Sequence, residues 1–249
     1  PAIKLGETSA KVRRSISRLT TGLNILAGSP AGDMSQGVGL KAKGKSNQQV
    51  VSSTQVALDL LLSAESALIE LAALATRLRE IGVADTNSTN DASDTAALNA
   101  EAISVSDSLD AIVSSAKFHN IAILGTSAKT FGVTRDADGN TTTIKTTAGI
   151  TATNVSDATG SNSTADTAIG EIQTSLGHVS GHLTSVGGFQ NAASALASIE
   201  LESAARLMDT NFAVETAKLM KNTLIQKYAT SMVTKANEVE ENKKLLICL

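Results

Sequence analysis

The sequence predicts a mainly α protein: a long antiparallel helical coiled-coil bundle, with both termini at one pole and a short β-hairpin near the middle of the chain. Three observations carry this. Apolar residues recur at alternating four- and three-residue intervals on both sides of the chain's centre, which is the spacing of a coiled-coil seam. The interior must be aliphatic and helix-compatible, because 42% of the 249 residues are hydrophobic, only 2% are aromatic, and proline occurs twice. Between Lys129 and Ile150 the apolar period drops to two.

The first periodic stretch is SISRLTTGLNIL, in which Ile16, Leu19, Leu23 and Leu26 form one stripe of a short helix interrupted at Gly22. AGSPAGDMSQGVG then reads as an irregular connector, being rich in glycine and holding a proline. From Ser46 to Ala84 the pattern is clean: Ala57, Leu61, Ala64, Leu68, Leu71, Ala75 and Leu78 make a heptad seam. At about 1.5 Å per residue this helix runs roughly 60 Å. Leu58, Leu62, Leu74 and Ile81 widen its stripe, so more than one partner helix is expected. TNSTNDASD is a turn cluster, after which Ala102, Val105, Leu109, Ile112 and Ala116 form a return seam on a helix over 95–117 that FHNIAILG closes.

In the hairpin, expected over 129–150, KTFGVT and TTTIKT flank DADGN, whose Asp138-Gly139 is a turn signal. Residues 151–166, mostly Thr, Ser, Asn, Ala and Gly, read as a polar loop with little to bury. Helix resumes at Ala168 with Ile169, Ile172, Leu176, Val179, Leu183 and Val186; Gly177, Gly181 and Gly187-Gly188 weaken it, and a further helix runs from Phe189 to Leu207. The last helix, from Phe212, carries Ile225, Tyr228, Ala229, Met232, Val233, Ala236 and Val239 at helical spacing. An apolar stripe at a chain end needs something to cover it. The expected organisation is a terminal pair, 1–30 with 207–249, and a central bundle, 31–206.

Several function classes are excluded. A net charge of −3 gives no basic surface for nucleic acid, and the run Lys11, Arg13, Arg14, Arg18 reads as a solvated helix face. The lone Cys248 rules out an intrachain disulfide or thiolate cluster and reads as an apolar filler. No eighteen-residue apolar run predicts a membrane span, and no basic-then-apolar leader is seen, so no membrane partner and no cleaved signal are expected. His178 and His182 sit four apart without the intervening Glu of a metalloprotease helix and read as surface histidines; His119 reads as a loop residue. Gly39 to Ser46 fits the letters of a phosphate loop but lacks a strand feeding it. The sequons at Asn87, Asn140, Asn154 and Asn162 reflect a Ser/Thr/Asn-rich surface. No cofactor, metal or catalytic constellation is expected.

SISRLTTGLNI, SAESALIEL followed by TRLREI, KFHNIAIL, and above all SAARLMDTNFAVE with ATSMVTKANEV closely resemble bacterial flagellin. The resemblance implies a filament subunit that is secreted unfolded through the flagellar channel and added beneath a cap, an extracellular homopolymer with hook-junction proteins and an export chaperone as further partners. It also implies that the terminal helices form the inner filament core and the central helices an outer tube. Ile16, Leu19 and Leu23 would then meet the terminal helix within the subunit. The assembly residues expected on this basis are Ile16, Leu19, Leu23, Leu61, Leu68, Leu71, Leu78, Leu109, Ile112, Leu219, Leu224, Tyr228, Met232, Val233, Ala236 and Val239.

Compared with the family, the helix before RLTTG is shorter, no large variable outer domain is present, and Lys243-Lys244 and Cys248 replace more neutral residues. By the same resemblance, Arg77, Ile81 and Glu101 match a segment recognised by an animal innate immune receptor, whereas the residues alone read Arg77 and Glu80 as a surface ion pair. Ser161, Ser163 and Thr164 would be O-glycan acceptors. The alternatives are a hook-filament junction protein of the same family and a soluble helical binding module.

Overall fold

The computed structural model describes residues 2–24, 31–151 and 154–247. In chain order its elements are α1 (Ala2–Thr21), α2 (Ala31–Asp85), α3 (Ala92–Ser115), β1 (Lys117–Phe118), β2 (Ile121–Ala122), β3 (Lys129–Thr134), β4 (Thr141–Thr147), α4 (Ser161–Met208) and α5 (Phe212–Ile247). The mainly α class and the mid-chain hairpin agree with expectation. Leu26 and Cys248 lie outside the described residues. Two units divide the chain, one of Pro1–Gly44 with Ser198–Leu249 and one of Lys45–Ala197, so both chain ends belong to the same unit.

The central unit is built on α2. Leu61, Ala64, Leu68, Leu71, Ala75 and Leu78 are fully buried there, each large side chain contributing about 1.5–3 kcal/mol by leaving water. Helix α4 runs antiparallel to α2: Gln190 donates to Gln55 (2.9 Å), Arg79 pairs with Asp166 (2.5 Å), and Gly82 faces Asn162. Ala165, Ala168, Ile172, Val179 and Val186 supply the facing side of the core, and Ala102, Leu109 and Val113 of α3 complete it.

Four element boundaries differ from expectation, each for a physical reason. Helix α2 begins at Ala31, through the Gly-rich stretch expected as a connector. Glycine costs a helix about 1 kcal/mol relative to alanine, yet at Gly44 the missing side chain is used: a Cβ there would lie 2.8 Å from Leu201 Cγ. Helix α4 is continuous from Ser161 to Met208 and starts inside the expected polar loop. Its glycines 177, 181, 187 and 188 stay helical because Ile172, Val179, Val186 and Ala193 are buried at strict seven-residue spacing, and tertiary burial overrides propensity.

The early start of α4 has its own anchors. A Cβ on Gly82 would lie 2.3 Å from the Asn162 nitrogen, so the first turn docks on bare α2 backbone, and the Ser161 hydroxyl donates to the Ala158 carbonyl (2.8 Å). Helix α3 starts at Ala92 rather than Thr95, because Asp91 and Asp94 form a reciprocal capping box. FHNIAILG is a second small hairpin, β1 and β2, with His119 and Asn120 at φ 47° and 64° in its two-residue turn.

The main hairpin pairs β3 with β4, Phe131 opposite Ile144 and Thr134 opposite Thr141. Its turn is organised by Asp136, which accepts from the backbone N–H groups of Asp138 (3.1 Å) and Asn140 (3.0 Å), while Gly139 takes φ 85°. The Asn140 side-chain amide, the largest influence, holds the Asp136 carboxyl below its ordinary range. Val133 and Ile144 turn inward to the core. Among the described residues, no helix is long and apolar enough to cross a membrane.

Candidate assembly interface

In the terminal unit α1 and α5 pair. They run antiparallel, since Ser15 meets Glu215 while Ser9 meets Gln226. Helix α1 stops at Thr21 because Gly22 takes φ 70°, its N–H donating to the Arg18 carbonyl (2.9 Å), the usual glycine termination. The strand-like residue Leu23 then bridges Asp209, with Asn24 N–H donating to Met208 O (2.6 Å) and Thr210 N–H to Gly22 O (2.9 Å). The link between α4 and α5 is thereby tied to the end of α1. Asn211 caps α5, its side-chain oxygen accepting from Val214 N–H (3.2 Å).

The most buried positions of the contact between α1 and α5 are polar. Thr8 and Ser15, seven residues apart, are buried on α1, and small side chains let the two helices approach closely. Glu215, whose side chain is 5% exposed, accepts from the Ser15 hydroxyl (2.7 Å) and lies 3.5 Å from Lys218 Nζ and 3.8 Å from Arg18 Nη1. Burial alone would push its carboxyl up, but the Ser15 hydrogen bond and the charges of Lys218 and Arg18 together outweigh burial and hold it below the ordinary value. The acidic position in the first turn also suits the helix dipole.

Helix α5 has two faces. Toward α1 it presents Glu215, buried, and Leu219, Gln226, Ala229 and Val233, half-buried. Away from α1, Met220, Leu224, Tyr228 and Met232 are 65%, 55%, 73% and 70% exposed. These four lie at successive four-residue steps and so make one continuous ridge along the helix. Ile225 and Val239 are exposed beside it, and Ala236 is exposed as well.

The expected assembly residues therefore separate into groups. Leu224, Tyr228, Met232 and Val239 lie on the outward face of α5; Leu219 and Val233 lie toward α1. Leu19 and Leu23 are half-buried, but Ile16 is about half exposed and does not pack into the helix pair as expected. In the central unit Leu61, Leu68, Leu71, Leu78 and Leu109 are fully buried and Ile112 packs half-buried against them, so within one chain these side chains belong to the core of the unit. The exposed apolar residues of α2 in this unit are Val56, Leu62, Ile69 and Val83, of which only Leu62 belonged to the expected stripe.

Arg77 donates from Nε (2.8 Å) and Nη2 (2.5 Å) to Glu101 and from Nη1 to Glu80 (3.0 Å), so the expected pair with Glu80 coexists with a second one to Glu101. Hydrogen bonds to Glu101 and then Glu80 raise its already high pKa. Ile81 is buried beneath them. Ser161 is also buried, at the start of α4 rather than in a loop; Ser163 is exposed and Thr164 half-buried. Gly39 to Ser46 is helical, which leaves no loop to wrap a phosphate. His178 and His182 stack at 6.4 Å between ring centres; burial first, then His178 and Lys145, lowers the pKa of His182. Among the described residues no group of three or more metal-ligating side chains converges.

Residues 3–129 match the family model for the bacterial flagellin N-terminal helical region, from α1 to the start of β3. The chain belongs to the flagellin family. As a flagellin it is a structural protein of the extracellular flagellar filament, and it is a compact one, in which two hairpins and their connecting segments lie between α3 and α4. Among solved structures, this flagellin is similar to the crystal structure of Bacillus cereus flagellin at 26% identity and a TM-score of 0.42, over 58% of this chain and 86% of that one. No curated protein matches it significantly. The Ser15–Glu215 contact has no local signature in the flagellin sequence, because its partners are 200 residues apart.

Proposed function

We propose that this flagellin polymerises through the outward ridge of α5 into the filament that propels a swimming cell, with a second copy of the chain covering the ridge. The observation that supports this most is the division of α5 into two faces: one is occupied by α1, while the other leaves Met220, Leu224, Tyr228 and Met232 in water. A repeated heterologous contact would remove that ridge from water and generate an open helical polymer. In this reading 1–30 with 207–249 form the inner layer and 31–206 the outer tube. Leu19, Leu23, Leu219 and Val233 hold the terminal pair in shape, and Ile16 and Ala236 join the outward contact. Export is assisted by a chaperone and leads past hook-junction proteins and beneath a cap; the subunit has no catalytic role.

Two surface features fit the same reading. Ser163 is the most accessible of the three expected O-glycan acceptors, and the Arg77–Glu101 pair is the accessible part of the receptor-like segment. The test is electron microscopy of purified chain added to short filament seeds, beside the same chain lacking residues 229–249. Long filaments from the intact chain alone are the expected result. Monomers from both, with seeds that elongate in a control, would overturn the filament reading.

A further inference from the structure

Two members of the α5 ridge are methionines, one at each end, and they carry a chemistry that the other two lack. The chain has four methionines. Met220 and Met232 are 65% and 70% exposed, Met34 on α2 is 49% exposed, and Met208 at the end of α4 is only 8% exposed. We infer that Met220 and Met232 form a redox-sensitive site on the polymerising face: a two-electron oxidant such as hydrogen peroxide reaches both thioethers in the free subunit, and their sulfoxides block its incorporation. The inference rests on the filament reading above.

The chemistry is complete as written. A lone pair on the thioether sulfur attacks one peroxide oxygen; the S–O bond forms as the O–O bond breaks, a proton shifts to the departing oxygen, and water leaves. Sulfur is oxidised by two electrons and the peroxide is reduced by two. The product is a polar sulfoxide where an apolar side chain stood. On a surface that must leave water, a strong new acceptor lacking a donor opposes burial. Leu224 and Tyr228, between the two methionines, undergo no such oxygen transfer from peroxide. Covering the ridge also shields the sulfurs, so a subunit already in a filament is protected and a free one is not.

The experiment exposes monomer to hydrogen peroxide, quenches it, maps oxidation by peptide mass spectrometry, and measures the critical concentration for elongation of untreated seeds by light scattering. A thiol reductant is added before elongation to return reversibly oxidised Cys248, without touching sulfoxides. Met220 and Met232 should oxidise well ahead of Met208. The critical concentration of the oxidised parent should rise by about tenfold or more and return on treatment with methionine sulfoxide reductases. The readout for M220L/M232L is its own treated-to-untreated ratio, which should fall close to one whatever its untreated value. An oxidised parent that elongates as well as the untreated parent overturns the inference alone, as does a variant with an undiminished ratio. An untreated parent that fails to elongate competent seeds overturns the filament reading and this inference with it.

Discussion

The two units of this flagellin dispose of apolar side chains in opposite ways. In the central unit the seam leucines 61, 68, 71 and 78 are fully buried, and the charged side chains stay outside. In the terminal unit α1 and α5 meet through Thr8, Ser15 and Glu215, while the largest apolar side chains of α5 face water. The first arrangement is complete within one chain. The second has an internal contact whose most buried positions are polar, and an uncovered apolar face, which is what a subunit needs if its terminal helices are to be stabilised mainly by neighbours. On the proposed reading stability and assembly fall to different residues, and substitutions can separate them.

The largest separation should come from Met232→Asp. A carboxylate forced into an apolar contact costs several kcal/mol, so filaments should be absent in seeded elongation, while circular dichroism and the melting temperature of the monomer stay close to those of the parent. Normal filaments from this variant would refute the role of the ridge. The converse is Leu71→Ala, which empties a fully buried site and should destabilise the central unit by about 2–5 kcal/mol in denaturant unfolding.

Gly82→Ala should fall next. The new Cβ would meet the Asn162 nitrogen at 2.3 Å, so either α4 shifts or the packing loosens, at about 1–3 kcal/mol, and the loss should appear as faster amide exchange in the first turn of α4. Acidification gives a milder and reversible test of the terminal unit. Glu215 titrates below its ordinary value in the folded chain, so the stabilisation it provides is present above that ordinary value and is lost as pH falls through the depressed one. Exchange protection of α1 should therefore decline below about pH 4 in the parent and change less in Glu215→Gln. The smallest effect belongs to the exposed pair Arg79–Asp166: Arg79→Ala should cost under about 1 kcal/mol, and less at high salt.

Much of the central unit was legible because its heptads are local and strict: 61, 68, 71 and 78 can be read from any window that contains them. Helix ends were less so. The glycines at 39, 44, 177 and 181 argue locally against helix; at 44 Leu201 packs over the glycine, and around 177 and 181 the buried Ile172, Val179 and Val186 hold the helix. The capping box at Asp91 and Asp94 was readable and fixes the start of α3, whereas the hairpin at His119-Asn120 lacks the glycine that usually marks such a turn.

On α5 periodicity found an apolar stripe but merged two faces, since Val233 and Met232 are neighbours in sequence yet point to α1 and to water respectively. The same reading placed the seam leucines at an interface between subunits. Spacing shows that a side chain is buried, not whether its cover comes from the same chain. Glu215 was invisible as a structural residue, because nothing near it in sequence announces Ser15 or Arg18.

The tie between the two chain ends also sets an order of events. Ser15 and Glu215 are separated by 200 positions, and the Leu23–Asp209 bridge joins segments almost as distant. Contacts of such long sequence separation close the largest loops and form late. The central unit, by contrast, has both of its boundary segments once residue 197 is free. A chain that emerges end first can therefore complete its central unit while its termini are still apart, and the terminal pair closes only when the last helix arrives. The face that we propose to polymerise is thus completed later than the central unit.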